Sequence, residues 1–144
     1  MEYLEGIMEI KDKIDRWVIY RDTAQWDKFC SLWHPDGVMA TTEKEVPYRV
    51  FVETVKKRIK EGLDVIHNIS STAVDINGPH AVAMTKFSFR QRGYIDGVAC
   101  EVECYERHYD LWEKWQGEWK LFYRGTIVDR DNLYILNPDD TLII

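Results

Sequence analysis

The hydrophobic pattern of this chain changes its period at Gly62, and that change restricts the possible folds more than any other feature. Before Gly62, apolar residues recur every three or four positions, which is typical of amphipathic helices. After Gly62 the period falls to about two, which indicates strands. Helices followed by a run of hairpin-linked strands predict an α+β protein. The 144 residues fit a single domain, residues 1–144.

Three helices are predicted before Gly62. The first covers residues 3–21, and the second follows it and ends at a turn formed by residues 34–37. The third begins at Pro47, a residue suited to the first turn of a helix because its missing N–H costs little there. We expect these helices to pack on the concave side of the sheet that follows.

Five strands are predicted, a short one before the third helix and four longer ones after it. Turn signals such as Asn77-Gly78-Pro79 separate the longer strands, which indicates a strongly curved antiparallel sheet. From residue 129 onward the sequence is polar, and residues 129–144 are expected to form a tail on the surface or against a partner chain. The predicted strands cover residues 38–42, 65–76, 81–91, 98–115 and 119–128.

Composition and motifs argue against several functional classes. The net charge of −6 and the isoelectric point near 5.2 predict no general attraction to nucleic acid or to an anionic membrane. Neither a charged-then-apolar leader nor an apolar run near twenty residues occurs, so a cytoplasmic location is expected. The three cysteines lack disulfide or zinc spacing, and no dinucleotide, phosphate-loop or HExxH motif is present. No cofactor and no metal are therefore predicted.

His67 is the first candidate functional residue. It lies within residues 64–72 between apolar, β-branched neighbours, so its imidazole is expected on a half-buried strand. Such a histidine is either a structural group or a catalytic one. The distinction depends on whether the fold supplies it with a partner and a pocket.

Four short motifs occur in an order that resembles a known family. They are Asp22-x-x-x-Trp26-Asp27 at the junction of the first two helices, Pro35-Asp36-Gly37-Val38 before the first strand, His67-x-Ile69, and Gly117-x-Trp119-Lys120. Over nearly its whole length the chain resembles the SnoaL-like branch of the NTF2-like superfamily. The resemblance implies a cone-shaped, cystatin-like fold in which three helices and the curved sheet enclose a pocket.

Within that superfamily the chain is similar to scytalone dehydratase and related cofactor-free lyases. These lyases carry an aspartate at the helix junction next to a histidine on the long strand, and Asp22 and His67 match those positions. Three positions differ. Gln91 stands where the dehydratase has a second histidine, Arg21 where a tyrosine precedes the aspartate, and His108 where it has an asparagine. The resemblance therefore implies related rather than identical chemistry.

The resemblance implies that Asp22 orients His67 and that His67 is a general base. A carboxylate bonded to one ring nitrogen fixes the tautomer and raises the basicity of the other nitrogen. This chemistry suits elimination, double-bond isomerisation or aldol-type cyclisation of a small, apolar, cyclic or polyketide-like carbonyl compound. The alternative is that Asp22 only caps a helix and His67 only stabilises the strand.

Further candidates lie on the longest predicted strand, residues 98–115. With a regular pleat, Cys104, Glu106 and His108 share the face towards the pocket. Glu106 is expected to be a second acid or to be paired with an arginine, and Cys104 to contact substrate or only to pack in the core. His108 is a candidate catalytic residue. The opposite face, expected towards solvent or a partner chain, carries Glu101, Glu103, Tyr105 and Arg107.

Four other residues complete the predicted site. Trp17 and Phe89 are expected to form a wall against which a substrate ring stacks, and Gln91 is expected to contact the substrate. Arg124 either binds a substrate carboxylate or forms a structural ion pair, and the second role is favoured. Arg21 is predicted to be a surface or intersubunit charge, because it projects about 100° around the helix from the neighbouring aspartate.

Two non-enzymatic interpretations stay open. One is a non-catalytic protein that binds a small hydrophobic or aromatic ligand. The other is a structural subunit resembling the β subunit of ring-hydroxylating dioxygenases, whose last strand is similar to residues 124–129. A homodimer or homotrimer is the expected assembly of an enzyme or of a ligand-binding protein with this fold.

Overall fold

A computed structural model describes residues 1–136, in which three helices and six strands occur. The helices are α1 Glu2–Asp22, α2 Trp26–Ser31 and α3 Tyr48–Lys60. The strands are β1 Trp33–Ala40, β2 Glu45–Pro47, β3 Asp64–Asn77, β4 His80–Ile95, β5 Val98–Trp115 and β6 Glu118–Ile135. The predicted α+β class is confirmed. Within this range no helix has the length and apolar character needed to cross a membrane.

The six described strands form one sheet in the order β2-β1-β6-β5-β4-β3. Neighbouring strands are antiparallel except β1 and β6, which run parallel. The sequence predicts a purely antiparallel sheet, and that prediction is wrong for this pair. The chain passes through β2, α3 and three long strands between β1 and β6, so no hairpin dictates their relative direction.

Bulges bend the long strands. The pairing register shifts once between β3 and β4, where Ser70 is the extra residue, and twice between β5 and β6, where Phe122 and Asp129 are the extra residues. A bulge bends its strand and increases the local twist. The bent sheet curves around the helices, so the predicted packing of three helices on a curved sheet is confirmed.

The apolar face of α1 covers the sheet. Ile10, Ile14 and Trp17 recur at helical spacing, and each is at most 2% exposed. They belong to one core cluster with Phe29 of α2 and Leu121 of β6. This packing holds the C-terminal end of α1 against β3, which is where the candidate site is formed.

β1 begins at Trp33 rather than at residue 38, because the predicted turn at residues 34–37 is an irregularity within the strand. Trp33 pairs with Leu121 and Val38 with Tyr123, so the register shifts between them. The strand also pairs with β2, an edge strand that the sequence pattern does not predict. Three residues carry too little alternation to identify a strand.

β6 extends to Ile135, beyond its predicted end at residue 128. The added part pairs with β5, from Tyr105 opposite Arg130 to Cys100 opposite Ile135. The predicted tail is therefore wrong in its first part, which is a surface strand. This part is exposed, including the hydrophobic residues Leu133, Tyr134 and Ile135 at its end. Residues 137–144 lie outside the described residues.

One face of β5 is more buried than predicted. Glu101 and Glu103 are 9% and 8% exposed. Arg90 forms ion pairs with both carboxylates, and Arg92 lies 3.0 Å from an oxygen of Glu101. The prediction that this face lies towards solvent or a partner chain is wrong for these two glutamates, because arginines from β4 of the same chain cover and neutralise them. Tyr105, on the same predicted face, is exposed.

Candidate active site

Asp22 and His67 are 45 residues apart in sequence and in direct contact in the structure. Asp22 is the last residue of α1, and His67 lies near the start of β3. Oδ1 of Asp22 lies 2.8 Å from Nδ1 of His67, and Oδ2 accepts a hydrogen bond from the backbone N–H of His67 at 2.9 Å. Both oxygens of one carboxylate therefore position one histidine.

This contact determines the tautomer of His67. An ionised carboxylate can only accept hydrogen bonds, so Nδ1 carries the proton and Nε2 keeps a lone pair. Burial lowers the pKa of His67; the hydrogen bond with Asp22 opposes this effect, and the charge of Arg21 adds to it. Burial alone would raise the pKa of Asp22, but the contacts with His67 and the charge of Arg21 outweigh burial and lower it. At neutral pH the pair is an aspartate and a neutral imidazole, the form that a base requires.

His67 lines a cavity of about 180 Å³, the inner cavity. Its walls combine apolar side chains, four of them aromatic, with polar side chains that converge on the same space. The apolar lining residues are Trp17, Met39, Phe51, Val65, Phe87 and Phe89, and the polar ones are Arg21, Thr41, Thr42, His67, Gln91, Glu106, His108 and Thr126. The volume is below the range of about 300–1,000 Å³ common for ligand pockets, so a compact ligand fits best.

A second cavity of about 160 Å³, the neighbouring cavity, adjoins the first. The residues that line both are Arg21, Thr41, Thr42, Phe51 and Gln91. The neighbouring cavity continues along α3 to Arg58 and Leu63. A ligand longer than the inner cavity can therefore extend in this direction.

Several predicted site residues surround the Asp22–His67 pair. Those that line the inner cavity are Trp17, Phe89, Gln91, Glu106 and His108. The ring centroid of Phe89 lies 5.3 Å from that of His67, and Trp17 stacks on Phe51 with their centroids 6.3 Å apart. The roles of these residues stay predictions, and the structure brings their side chains to one place.

His108 is packed against two aromatic rings. Its ring centroid lies 4.0 Å from that of Phe87 and 5.4 Å from that of Trp17. Burial, and after it the charges of Arg124, His67 and Arg21, lower the pKa of His108 well below its usual value. His108 is therefore neutral near physiological pH, and its ring can donate or accept a hydrogen bond without carrying charge.

Arg124 does not line the inner cavity. Its side chain is fully buried, and its Nε and Nη2 atoms lie 2.8 and 2.7 Å from the two oxygens of Asp110. The guanidinium also lies 4.6 Å from the ring centroid of Trp17. Of the two roles predicted for Arg124, these contacts support the structural ion pair. They leave its substrate-binding role unsupported, because Nε and Nη2 bind Asp110 and Nη1, which has no hydrogen-bond partner among the described residues, is buried away from the inner cavity.

Cys104 is also outside the inner cavity. The residue is 8% exposed and lies opposite Phe89 in the β4–β5 ladder. Burial raises the pKa of its thiol to about 11, so the thiolate is scarce at neutral pH. The structure thus favours the packing role for Cys104. Within residues 1–136 there is also no group of three or more His, Cys, Asp or Glu side chains placed to hold a metal ion.

Arg21 belongs to the site, and the prediction of a surface charge is wrong. Its side chain is 11% exposed and lines both cavities. Its Nη1 atom lies 3.5 Å from Oδ1 of Asp22, which is a weak contact. Burial lowers the pKa of Arg21, against the opposing effect of Asp22. The 100° separation on the helix is misleading, because a long arginine side chain and a short aspartate side chain reach the same space.

Phe87 is a central lining residue that is not among the predicted site residues. Its ring lies between two imidazoles, with centroids 4.0 Å from that of His108 and 6.1 Å from that of His67. Phe87 and Phe89 alternate on one face of β4. This period-two repeat beside a predicted site residue is the sequence signal that could have identified Phe87.

A SnoaL-like domain model matches residues 2–125 of this chain. The chain therefore belongs to the SnoaL-like domain family, and its structure has the cystatin-like fold of the NTF2-like superfamily. The predicted family is confirmed. Among curated relatives, Pea pathogenicity protein 2 of Fusarium vanettenii is 28% identical over 134 residues, which cover 91% of this chain and 58% of that protein. The chain thus spans little more than half the length of this relative.

Solved structures with the same fold include two that are similar over nearly the whole chain. A hexachlorocyclohexane dehydrochlorinase of type 2 superimposes with a TM-score of 0.81 at 12% identity, covering 95% of this chain and 97% of that one. A Novosphingobium aromaticivorans protein provisionally named a scytalone dehydratase gives a TM-score of 0.76 at 13% identity, covering 93% and 91%. At identities this low, the structural similarity establishes the common fold and nothing more.

Proposed function

We propose that this protein is a cofactor-independent, dehydratase-like lyase that acts on a small, apolar, cyclic or polyketide-like carbonyl compound. His67 is the general base, and Asp22 orients it. The observation that carries the proposal is the direct Asp22–His67 contact at the wall of an aromatic cavity. Isomerisation and aldol-type cyclisation begin with the same proton abstraction and are variants of this function.

Nε2 of His67 is the atom that accepts the proton. Asp22 occupies Nδ1, so Nε2 is the ring nitrogen that keeps a lone pair, and the ring lines the inner cavity. The proton comes from the carbon next to the substrate carbonyl, where the carbonyl group makes C–H bonds acidic. The carboxylate of Asp22, at 2.8 Å, stabilises the imidazolium that forms.

Arg21 and Gln91 are suited to bind the carbonyl oxygen of the substrate. Both side chains donate hydrogen bonds, and both line the inner cavity. Negative charge develops on the carbonyl oxygen as the enolate forms, and donors placed there stabilise the transition state. The electron pair then forms a carbon–carbon double bond and expels the hydroxyl group from the β-carbon, which takes up a proton and leaves as water.

The cavity supports a flat substrate. Phe51, Phe87 and Phe89 provide aromatic surface around His67. Rings of this kind prefer offset-stacked or edge-to-face contacts with another ring. The volume of about 180 Å³ favours a molecule of one or two fused rings. The names of the two structural neighbours, a dehydrochlorinase and a dehydratase, both refer to eliminations, which also supports this reaction class.

The proposal can be tested with 3-hydroxy-1-tetralone, because loss of water from this β-hydroxyketone gives fluorescent 1-naphthol. We expect the wild type to catalyse the reaction and His67→Gln to lower kcat/KM by about 10²–10⁴-fold, the usual contribution of a general base. His80→Gln is the matched control, since His80 is exposed at the start of β4. A correctly folded His67→Gln protein with unchanged turnover would contradict the proposal.

The two non-enzymatic functions give different outcomes. A ligand-binding protein would bind 1-naphthol with no turnover by the wild type, and the aromatic cavity is compatible with that result. A structural subunit would aggregate alone and be rescued by co-expression with an iron-containing partner. The dehydratase proposal is preferred because a passive pocket has no need of a carboxylate-oriented histidine.

A cytoplasmic location and a homodimeric or homotrimeric assembly are also proposals. Assembly is supported by exposed apolar residues on the outer side of the sheet, with Val82 50% and Leu111 47% exposed. They line a surface cavity of about 490 Å³ together with Phe122. Light scattering on the purified chain measures the number of subunits directly, and a monomer at micromolar concentration would exclude the assembly.

A further inference from the structure

Glu106 is a buried carboxyl group without a hydrogen-bond or ion-pair partner in the part of the chain that the structure describes. It is 8% exposed. The other buried carboxyl groups of β5 are paired, Glu101 and Glu103 with arginines of β4, and Asp110 with Arg124. A buried carboxylate without a partner is costly. Fold stability therefore does not account for a glutamate at this position.

Glu106 lines two cavities. The first is the inner cavity, which it shares with His67. The second, the outer cavity, measures about 350 Å³, and its exposed lining includes Lys86, Asp129 and Arg130. Glu106 therefore stands between the space that contains the base and a space that solvent reaches.

Burial raises the pKa of Glu106 to about 7. The charged and titratable groups that share a cavity or a contact with it are Arg21 from α1, His67 from β3, Lys86 from β4, Cys104, Tyr105 and His108 from β5, and Asp129 and Arg130 from β6. In the described part of the chain none of them forms an ion pair with Glu106. Near neutral pH a large share of Glu106 therefore holds a proton while His67 is unprotonated. Opposite pKa shifts of this kind distinguish the acid from the base in a shared site.

We propose that Glu106 is the general acid of the elimination and donates its carboxyl proton to the oxygen that leaves the β-carbon. The inference rests on the proposed function, in which His67 removes the proton from the α-carbon. The α-carbon C–H bond breaks, and its proton goes to Nε2 of His67. Its electron pair forms the double bond, the β-carbon–oxygen bond breaks, and the oxygen leaves as water with the proton of Glu106.

The cycle closes without any co-reactant. After the elimination, His67 carries a proton and Glu106 is ionised. Glu106 regains a proton from water in the outer cavity, and His67 returns its proton to solvent when the product leaves. The net reaction is loss of one water molecule from the substrate.

The test compares two leaving groups in substrates of the same size, 3-hydroxy-1-tetralone and 3-chloro-1-tetralone. Both give 1-naphthol, but chloride leaves without a proton, whereas hydroxide needs one. We expect Glu106→Gln to lower kcat/KM for the hydroxy compound by about 10²–10⁴-fold and to leave that for the chloro compound nearly unchanged. His67→Gln should lower both rates. Glu113→Gln, a half-buried glutamate of the same strand outside the inner cavity, is the matched control.

The outcomes separate the two proposals. If His67→Gln lowers both rates and Glu106→Gln lowers both equally, or neither, the role of Glu106 is overturned and the proposed function stands. If His67→Gln lowers neither rate, or the wild type converts neither compound, the proposed function is overturned together with this inference. Glu106→Asp, which keeps the acid, should recover part of the hydroxy rate; its failure to exceed Glu106→Gln would also overturn the assignment.

Discussion

Two pairs of a carboxylate with a nitrogen-containing side chain, the fully buried Asp110–Arg124 and the partly buried Asp22–His67, differ in what they leave free. In the Asp110–Arg124 pair, both carboxylate oxygens bind the guanidinium, and one also accepts a hydrogen bond from Trp112. In the Asp22–His67 pair, both oxygens bind the histidine residue, but one ring nitrogen keeps its lone pair.

The difference separates a structural pair from a candidate catalytic one. Arg124 has no exposed surface, so its charge serves to neutralise Asp110 within the core. His67 lines a cavity, so its unused nitrogen can meet a ligand. Burial and pairing alone therefore do not identify a candidate catalytic residue, whereas an unused lone pair at a cavity wall makes His67 one.

The largest expected effect is on stability and comes from breaking the structural pair. Arg124→Met leaves the Asp110 carboxylate buried and unpaired, which costs roughly 3–5 kcal/mol of unfolding free energy. Denaturant titration measures the loss. The double variant Asp110→Asn with Arg124→Met removes the unpaired buried carboxylate and should recover part of the lost stability. A single variant as stable as the wild type would show that the pair is dispensable.

Breaking the Asp22–His67 pair should lower catalytic activity rather than the free energy of unfolding. In Asp22→Asn the amide no longer stabilises an imidazolium, so we expect kcat/KM for 3-hydroxy-1-tetralone to fall by about 10²-fold. The side chain of Asp22 keeps 19% of its surface exposed, and the unfolding free energy should change by less than about 1 kcal/mol. Loss of stability similar to that of Arg124→Met, with activity retained in the folded fraction, would make Asp22 a purely structural residue.

The smallest effect concerns Glu106 and depends on pH. Because its folded pKa, about 7, lies above the usual value of 4.5, protonated Glu106 favours the folded state. This contribution is complete below about pH 4.5 and is lost as the pH rises through 7. Glu106→Gln, which stays neutral, should therefore exceed the wild type in stability by roughly 1–3 kcal/mol at pH 8.5. At pH 4 the two proteins should be equal. Equal stability at both pH values would mean that the carboxyl group has an ordinary pKa.

The sequence predicts the fold well where periodicity is strong. The change at Gly62, the helix covering residues 3–21 and the strand at residues 98–115 all correspond to observed elements. Prediction fails where position in the sheet overrides the local pattern. Residues 129–135 extend β6 beside β5 although their first four residues are polar, and β1 lies parallel to β6 through a pairing that no local signal encodes.

The site is predictable only in part. The resemblance to a known family predicts that Asp22 and His67 lie side by side although 45 residues separate them. No rule of sequence spacing would predict this contact. Side-chain reach and pairing are the features that the sequence leaves undetermined. Arg21 extends into the cavity, whereas Arg124 is held away from it by Asp110, and nothing in the local sequence separates the two arginines.

The parallel pairing of β1 with β6 also determines when the site can form during synthesis of the chain. Trp33 pairs with Leu121, and Thr126 of β6 completes the wall of the inner cavity. Contacts between such distant parts of the chain slow folding, because a long loop must close before they can form. A ribosome-bound chain that has not yet released β6 therefore has Asp22 and His67 but lacks part of the cavity wall. Binding of a small ligand should thus report the addition of β6.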